Sequence, residues 1–245
     1  MTQQALAGKK VVVIGGTSGI GLATAVAAAK AGATVWAAGR SQENVDKARA
    51  MAAEATDGKL QFVQVDTHDD AGLNALFESV GGIDHLVSAA TGGTRTMKPL
   101  IEQTEEQFQA AFGKLWGYAK VARLGARHVS EDGSITFVSG APARRIRPNA
   151  AALSCVGGAV ENMVRCLAVE LAPVRVNVVS PGIIDTALFD WMGDKKEAQM
   201  ASMTAGQLVK RVGRPEEVAS ALIYLMLNGY ATGTTVDVDG GQLLS

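Results

Sequence analysis

Gly15-Gly16-Thr17-Ser18-Gly19-Ile20-Gly21 stands where an apolar, β-branched run ends and an alanine-rich stretch begins. Glycines at a strand-to-helix turn let backbone approach a diphosphate, and the helix N-terminus behind them offers free N–H groups with partial positive charge. Gly15, Thr17, Ser18, Gly19, Ile20 and Gly21 are therefore candidate nucleotide contacts, with glycines spaced GxxxGxG instead of GxGxxG. A second run, Thr34–Ala38, leads into Gly39-Arg40-Ser41, where an NAD-specific site would place a carboxylate against the ribose hydroxyls. Arg40 can instead pair a 2′-phosphate in bidentate fashion, with donors from the Thr17 and Ser18 hydroxyls. This favours NADP(H) over NAD(H), the alternative being that Arg40 is an ordinary cation on a helix surface.

Three further groups bear on chemistry. Lys114 and Tyr118, four apart on a helix expected over Thr104–Val129, share a face and could form a phenol–ammonium pair. The plainer reading is a space-filling cation beside a core aromatic. Arg144, Arg145 and Arg147 crowd one loop, and Arg95 and Lys98 another; together they would favour an anionic small-molecule substrate, unless they are solvated loop charges. Cys155 and Cys166 fall on one expected helix about 16 Å apart, too far to bridge, and read as small core residues. His68, His85 and His128 are scattered without ligand spacing, so no metal site is expected.

These residues need elements to hold them. Apolar runs at Lys10–Ile14, Thr34–Ala38, Gln61–Val65, His85–Ser88, Ile135–Ser139, Arg175–Val179 and Thr235–Val238 alternate with helical stretches, the form of repeated βαβ units. The fold class is α/β: a single-domain Rossmann fold over residues 1–245, with a doubly wound seven-stranded parallel sheet and helices on both faces. Ala187–Glu217 breaks the rhythm and is a candidate lid over the crevice, or a surface helical pair without a gating role. A formal net charge of −1 gives no reason to expect nucleic acid or a membrane surface as partner, since either would favour a strongly basic face. The N-terminal segment lacks an apolar core before the first strand, and no stretch reaches the length of a membrane span, so the cytoplasm is the expected compartment.

The GGTSGIG turn, Asp66, Ile83-Asp84-His85-Leu86-Val87, Val176-Asn177-Val178-Val179-Ser180-Pro181-Gly182 and Val236-Asp237-Val238-Asp239-Gly240-Gly241 together resemble the short-chain dehydrogenase/reductase family over essentially the whole chain. The resemblance implies that Asp66 meets the adenine amino group, that Ala90 lies along the coenzyme, and that Pro181, Gly182, Ile184 and Thr186 hold the nicotinamide carboxamide. It also implies a homodimer or homotetramer, with the helices at Thr104–Val129 and Ala151–Leu171 across a twofold axis.

The family's proton chemistry uses a tyrosine, a lysine four residues later, a serine and an asparagine. Here the first two positions hold Leu153 and Gly157, the serine position holds Gly140 with Ser139 one place early and expected to face away, and the asparagine position holds Lys114. No change of register supplies the dyad: the tyrosines are Tyr118, Tyr224 and Tyr230, and no lysine occurs between Lys120 and Lys195. A positioned general acid contributes about 10²–10⁴ in rate. Lys114, Tyr118 and Ser139 are the remaining catalytic candidates, and two classes stay open. One is an oxidoreductase with unconventional catalysis; the other is a non-catalytic nucleotide sensor or the structural partner of an active homologue.

Overall fold

The computed structural model describes residues 4–53, 56, 58–92 and 96–245. Its strands are β1 (Lys10–Ile14), β2 (Thr34–Gly39), β3 (Leu60–Gln64), β4 (Ile83–Ser88), β5 (Val129–Val138), β6 (Arg175–Pro181) and β7 (Thr235–Val238). They form one seven-stranded sheet in the order β3-β2-β1-β4-β5-β6-β7, every pairing parallel. The helices are α1 (Gly19–Lys30), α2 (Gln42–Ala52), α3 (Asp70–Val80), α4 (Glu105–Ala111), α5 (Gly113–Gly125), α6 (Ala151–Glu170), α7 (Lys196–Thr204) and α8 (Pro215–Leu227).

Alternation along β1 shows how the sequence makes three layers. Side chains of successive strand residues point to opposite faces, so Val12 and Ile14 join a core with α3, α5 and α6, while Val11 and Val13 join one with α1 and α8. A strand buried on both faces must be apolar where it is buried, and Val11–Ile14 of β1 are both. The strand order reverses between β1 and β4, and β1 opens into the glycine turn at that point.

Three readings change. The helix over Thr104–Val129 is two helices broken at Phe112, and the chain beyond is already strand at Val129. Beside the break, the loop after β4 crosses the start of α5 so closely that a Cβ on Gly92 would lie 2.5 Å from the Lys114 nitrogen. Cys155 and Cys166 are exposed, not core, because α6 buries Ala152, Val156, Val160, Glu161 and Val164 on its other side. That helix, 20 residues long, is also long and apolar enough to cross a bilayer by length and composition, but it lies against β6 and carries Glu161 and Arg165. Of the segment 187–217, Ala187–Lys195 is a kinked 3-10 stretch and Lys196–Thr204 is helix, while its last residues already belong to α8.

Candidate dinucleotide and reaction site

The glycine turn is tied to the neighbouring strand: the Gly15 and Gly16 amides donate to the Ala38 carbonyl at 2.8 and 2.9 Å. Gly15 has φ 78°, and a Cβ there would stand 2.5 Å from the Ala90 nitrogen, so only glycine satisfies both backbone and neighbour. A Cβ on Gly21 would lie 2.0 Å from the Gly15 carbonyl oxygen. The helix behind the turn keeps its N-terminus open. Ser18 occupies the N-cap position without a side-chain capping bond, and the first turn carries no acidic residue. Orphan N–H groups with a positive dipole end are a diphosphate's complement, so the cradle fits the coenzyme.

The end of β2 lies beside the turn. A Cβ on Gly39 would lie 2.2 Å from the Thr17 hydroxyl, which is itself buried, so no carboxylate can occupy residue 39 without displacing it. Arg40 follows, exposed, and its guanidinium has no hydrogen bond or ion pair among the described residues. The Asp66 carboxylate accepts the His68 amide at 2.9 Å.

The opposite wall comes from the end of β6. Gly182 donates to the Val238 carbonyl at 3.1 Å, and Ile184 is buried and bridged to Gly213. Thr186 faces the phosphate turn, its methyl 3.1 Å from where a Gly19 Cβ would be. Directly behind it Lys196 pairs with Asp185 at 2.7 Å and Asp190 at 2.8 Å. Exposed ion pairs of this kind are screened by solvent and contribute little, so the candidate lid is held lightly by them.

At the reaction end, Lys114, Leu153, Thr91, Thr96, Ala111, Ala152 and Val156 line a cavity of about 20 Å³, room for a water molecule. Lys114 Nζ donates to the Ser139 carbonyl at 3.2 Å and lies 5.4 Å from the Tyr118 ring centroid. The two anticipated residues do meet, but as an ammonium over a ring. Tyr118 is 1% exposed and its hydroxyl donates to the Val138 carbonyl at 3.0 Å. Ser139 turns its hydroxyl to the Gly157 carbonyl at 3.2 Å. The 3-10 turn Ala141–Ala143 packs onto α6 where a longer side chain would run: a Cβ on Gly157 would be 2.8 Å from that of Ala143.

Of the five cations, the structure pairs one. Arg144 is paired with Asp237 and, at 3.2 Å, with Glu161, while Arg95 lies outside the described residues. The hydrogen bond to Asp237 holds the Arg144 guanidinium charged; burial raises the Glu161 carboxyl, against the pull of Arg144. Among the described residues, Lys98, Arg145 and Arg147 have no ion-pair partner. Sequence reasoning missed the Arg144–Glu161–Asp237 junction because Asp237 stands 93 residues from Arg144.

A doubly wound parallel sheet with an open diphosphate cradle at its switch point defines a dinucleotide-binding α/β protein. The chain belongs to the short-chain dehydrogenase/reductase family: the model for enoyl-(acyl carrier protein) reductase matches residues 15–242. The short-chain dehydrogenase/reductase ATR9 of Stachybotrys chlorohalonatus is 38% identical, over 97% of this chain and 98% of that one. Among solved structures, the MalC reductase/Diels-Alderase of Malbranchea aurantiaca has a TM-score of 0.91 and 32% identity, covering 100% of both chains. A small-chain dehydrogenase in complex with NADPH has a TM-score of 0.79 and 31% identity, covering 97% of this chain and 99% of that one.

Proposed function

We propose that this chain is an NADP(H)-dependent oxidoreductase in which Lys114, not a tyrosine–lysine pair, provides the charge at the reacting oxygen. The observation that carries the coenzyme assignment is the end of β2: Thr17 fills the space a carboxylate would need at residue 39, and the unpaired Arg40 stands one residue on. Gly15, Gly19, Ile20 and Gly21 cradle the diphosphate, and the Thr17 and Ser18 hydroxyls join Arg40 at the 2′-phosphate; Asp66, Ala90, Pro181, Gly182, Ile184 and Thr186 hold the two rings. The bound coenzyme supplies or accepts a hydride at its nicotinamide.

Leu153 has no proton to give, and the Tyr118 hydroxyl is turned into the backbone at Val138. Lys114 alone among the candidates lines the cavity beside Leu153 and carries a charge. An ammonium there stabilises an oxygen gaining negative charge, a kind of contribution worth about 10²–10³ in rate. The proton then comes from Lys114 or from water admitted beside it. The test is coenzyme oxidation with ketone and acyl-thioester panels, with and without Lys114→Met. Because MalC is named a Diels-Alderase as well as a reductase, the panel includes a diene–dienophile substrate, whose cyclisation moves no proton.

A second reading is favoured by the Ala143–Gly157 contact, which closes the position where the family carries its lysine. In that reading the chain binds the coenzyme without turnover, as a sensor or as the partner of an active homologue. Tight NADPH binding with no substrate-dependent oxidation would select it. Either role suits a homodimer through α5 and α6, whose Trp116 and Val169 are exposed; sedimentation against concentration tests this.

A further inference from the structure

The parallel strands β4, β5 and β6 are neighbours, so the connections that follow them leave one edge of the sheet side by side. Each exposes large apolar side chains: Met97, Leu100 and Ile101 after β4, Ile146 after β5, and Leu188 and Trp191 after β6. Exposure reaches 95% at Ile101, 78% at Ile146 and 77% at Trp191. Large apolar groups exposed on neighbouring connections, at the edge where such a sheet takes its ligands, suit a binding surface better than ones scattered over the molecule.

Charge at the same mouth is unbalanced. Arg144 is anchored to Glu161 and Asp237, which fixes the loop after β5, yet Arg145 and Arg147 flank Ile146 with no ion-pair partner among the described residues. Arg147 is half-buried, and burial together with the neighbouring Arg145 charge disfavours its guanidinium. A partly desolvated cation beside a like charge gains from an anion able to accept two N–H donors. The cavity by Lys114, about 20 Å³, is far too small for a bulky body.

We propose that the crevice mouth binds a bulky, apolar small molecule bearing one anionic group, its body against Ile101, Ile146 and Trp191 and its anion on Arg145 and Arg147. Only the reacting atoms then reach Lys114. As a statement about substrate, this rests on the oxidoreductase reading; as a statement about binding, it is measurable without turnover.

The probe is 1-pyrenebutyrate, compared with its methyl ester and with butyrate, titrated by fluorescence in the presence of NADPH. Wild type binds the acid at least tenfold tighter than the ester and shows no binding of butyrate. Arg145→Gln/Arg147→Gln abolishes the difference between acid and ester, and Ile146→Ser/Trp191→Ser weakens both at least tenfold, with NADPH affinity unchanged in each variant. Equal affinity of wild type for acid and ester, or acid binding undiminished in either double variant, overturns the proposal. So does a drop in sedimentation coefficient caused by Ile146→Ser/Trp191→Ser, which would assign the face to a second copy of the chain. Failure of wild type to bind NADPH in the same titration overturns the coenzyme reading instead, and leaves the pyrene comparison decisive for this one.

Discussion

Lys114 and Tyr118 share a helix face, yet the structure gives them different work. Lys114 lines the cavity beside Leu153 and its ammonium donates to the Ser139 carbonyl, while the phenol is buried and bonded to the Val138 carbonyl. Lys114→Met should therefore lower kcat by about 10², the worth of one positioned electrostatic donor. Tyr118→Phe should leave kcat within a few-fold but cost about 1 kcal/mol of stability, since a buried carbonyl loses its donor; steady-state kinetics and urea unfolding separate the two. A second residue-scale prediction concerns His85, on β4, whose Nδ1 is 2.9 Å from the Ser134 hydroxyl. Burial lowers its pKa to about 4, below an unfolded value near 6.5. The unfolded chain thus takes up a proton that the folded one refuses. The resulting stability is complete above about pH 6.5 and is lost as pH falls towards 4, by up to about 3 kcal/mol. Urea midpoints measured across that range should flatten in His85→Gln relative to wild type; an unchanged acid slope would show that His85 is not the group responsible.

Within α6, two adjacent glycines meet opposite surroundings. A Cβ on Gly157 would overlap the Ala143 side chain at 2.8 Å, whereas around Gly158 there is nothing within 4 Å. Gly158→Ala should stabilise the protein by about 0.5–1 kcal/mol through helix propensity and a less flexible unfolded chain. Gly157→Ala gains the same term but must push the Ala141–Ala143 turn away, so a net loss of about 1 kcal/mol is expected. Equal stabilisation by both substitutions would show that the turn is not packed on α6. The same contact predicts that Leu153→Tyr/Gly157→Lys does not restore the family's chemistry, because the lysine stem has no path past Ala143. A gain in turnover from that double variant would contradict this packing.

At the scale of the molecule, the sheet and the phosphate turn were legible because each rests on local chemistry. Val11, Val12 and Val13 must be buried on both sides wherever the strand lies, and Gly15 and Gly21 mark the turn by their lack of a side chain. What escaped the sequence depends on distant partners. The break at Phe112 falls beside the approach of Gly92 to α5, the exposure of Cys155 and Cys166 follows from which face of α6 meets β6, and Arg144 is taken from the crevice cations by Asp237 on the last strand. The proposed coenzyme preference is a matter of the end of β2, where a Cβ on Gly39 would meet the Thr17 hydroxyl and Arg40 is exposed. Titration of the purified protein with NADPH and NADH, repeated on Arg40→Ala, is the most direct test. A charge-assisted bidentate contact of about 1.5–3 kcal/mol makes NADPH bind at least tenfold tighter than NADH, and Arg40→Ala should erase most of that preference. Failure of both coenzymes to bind, or equal affinity for the two in wild type, would contradict the account.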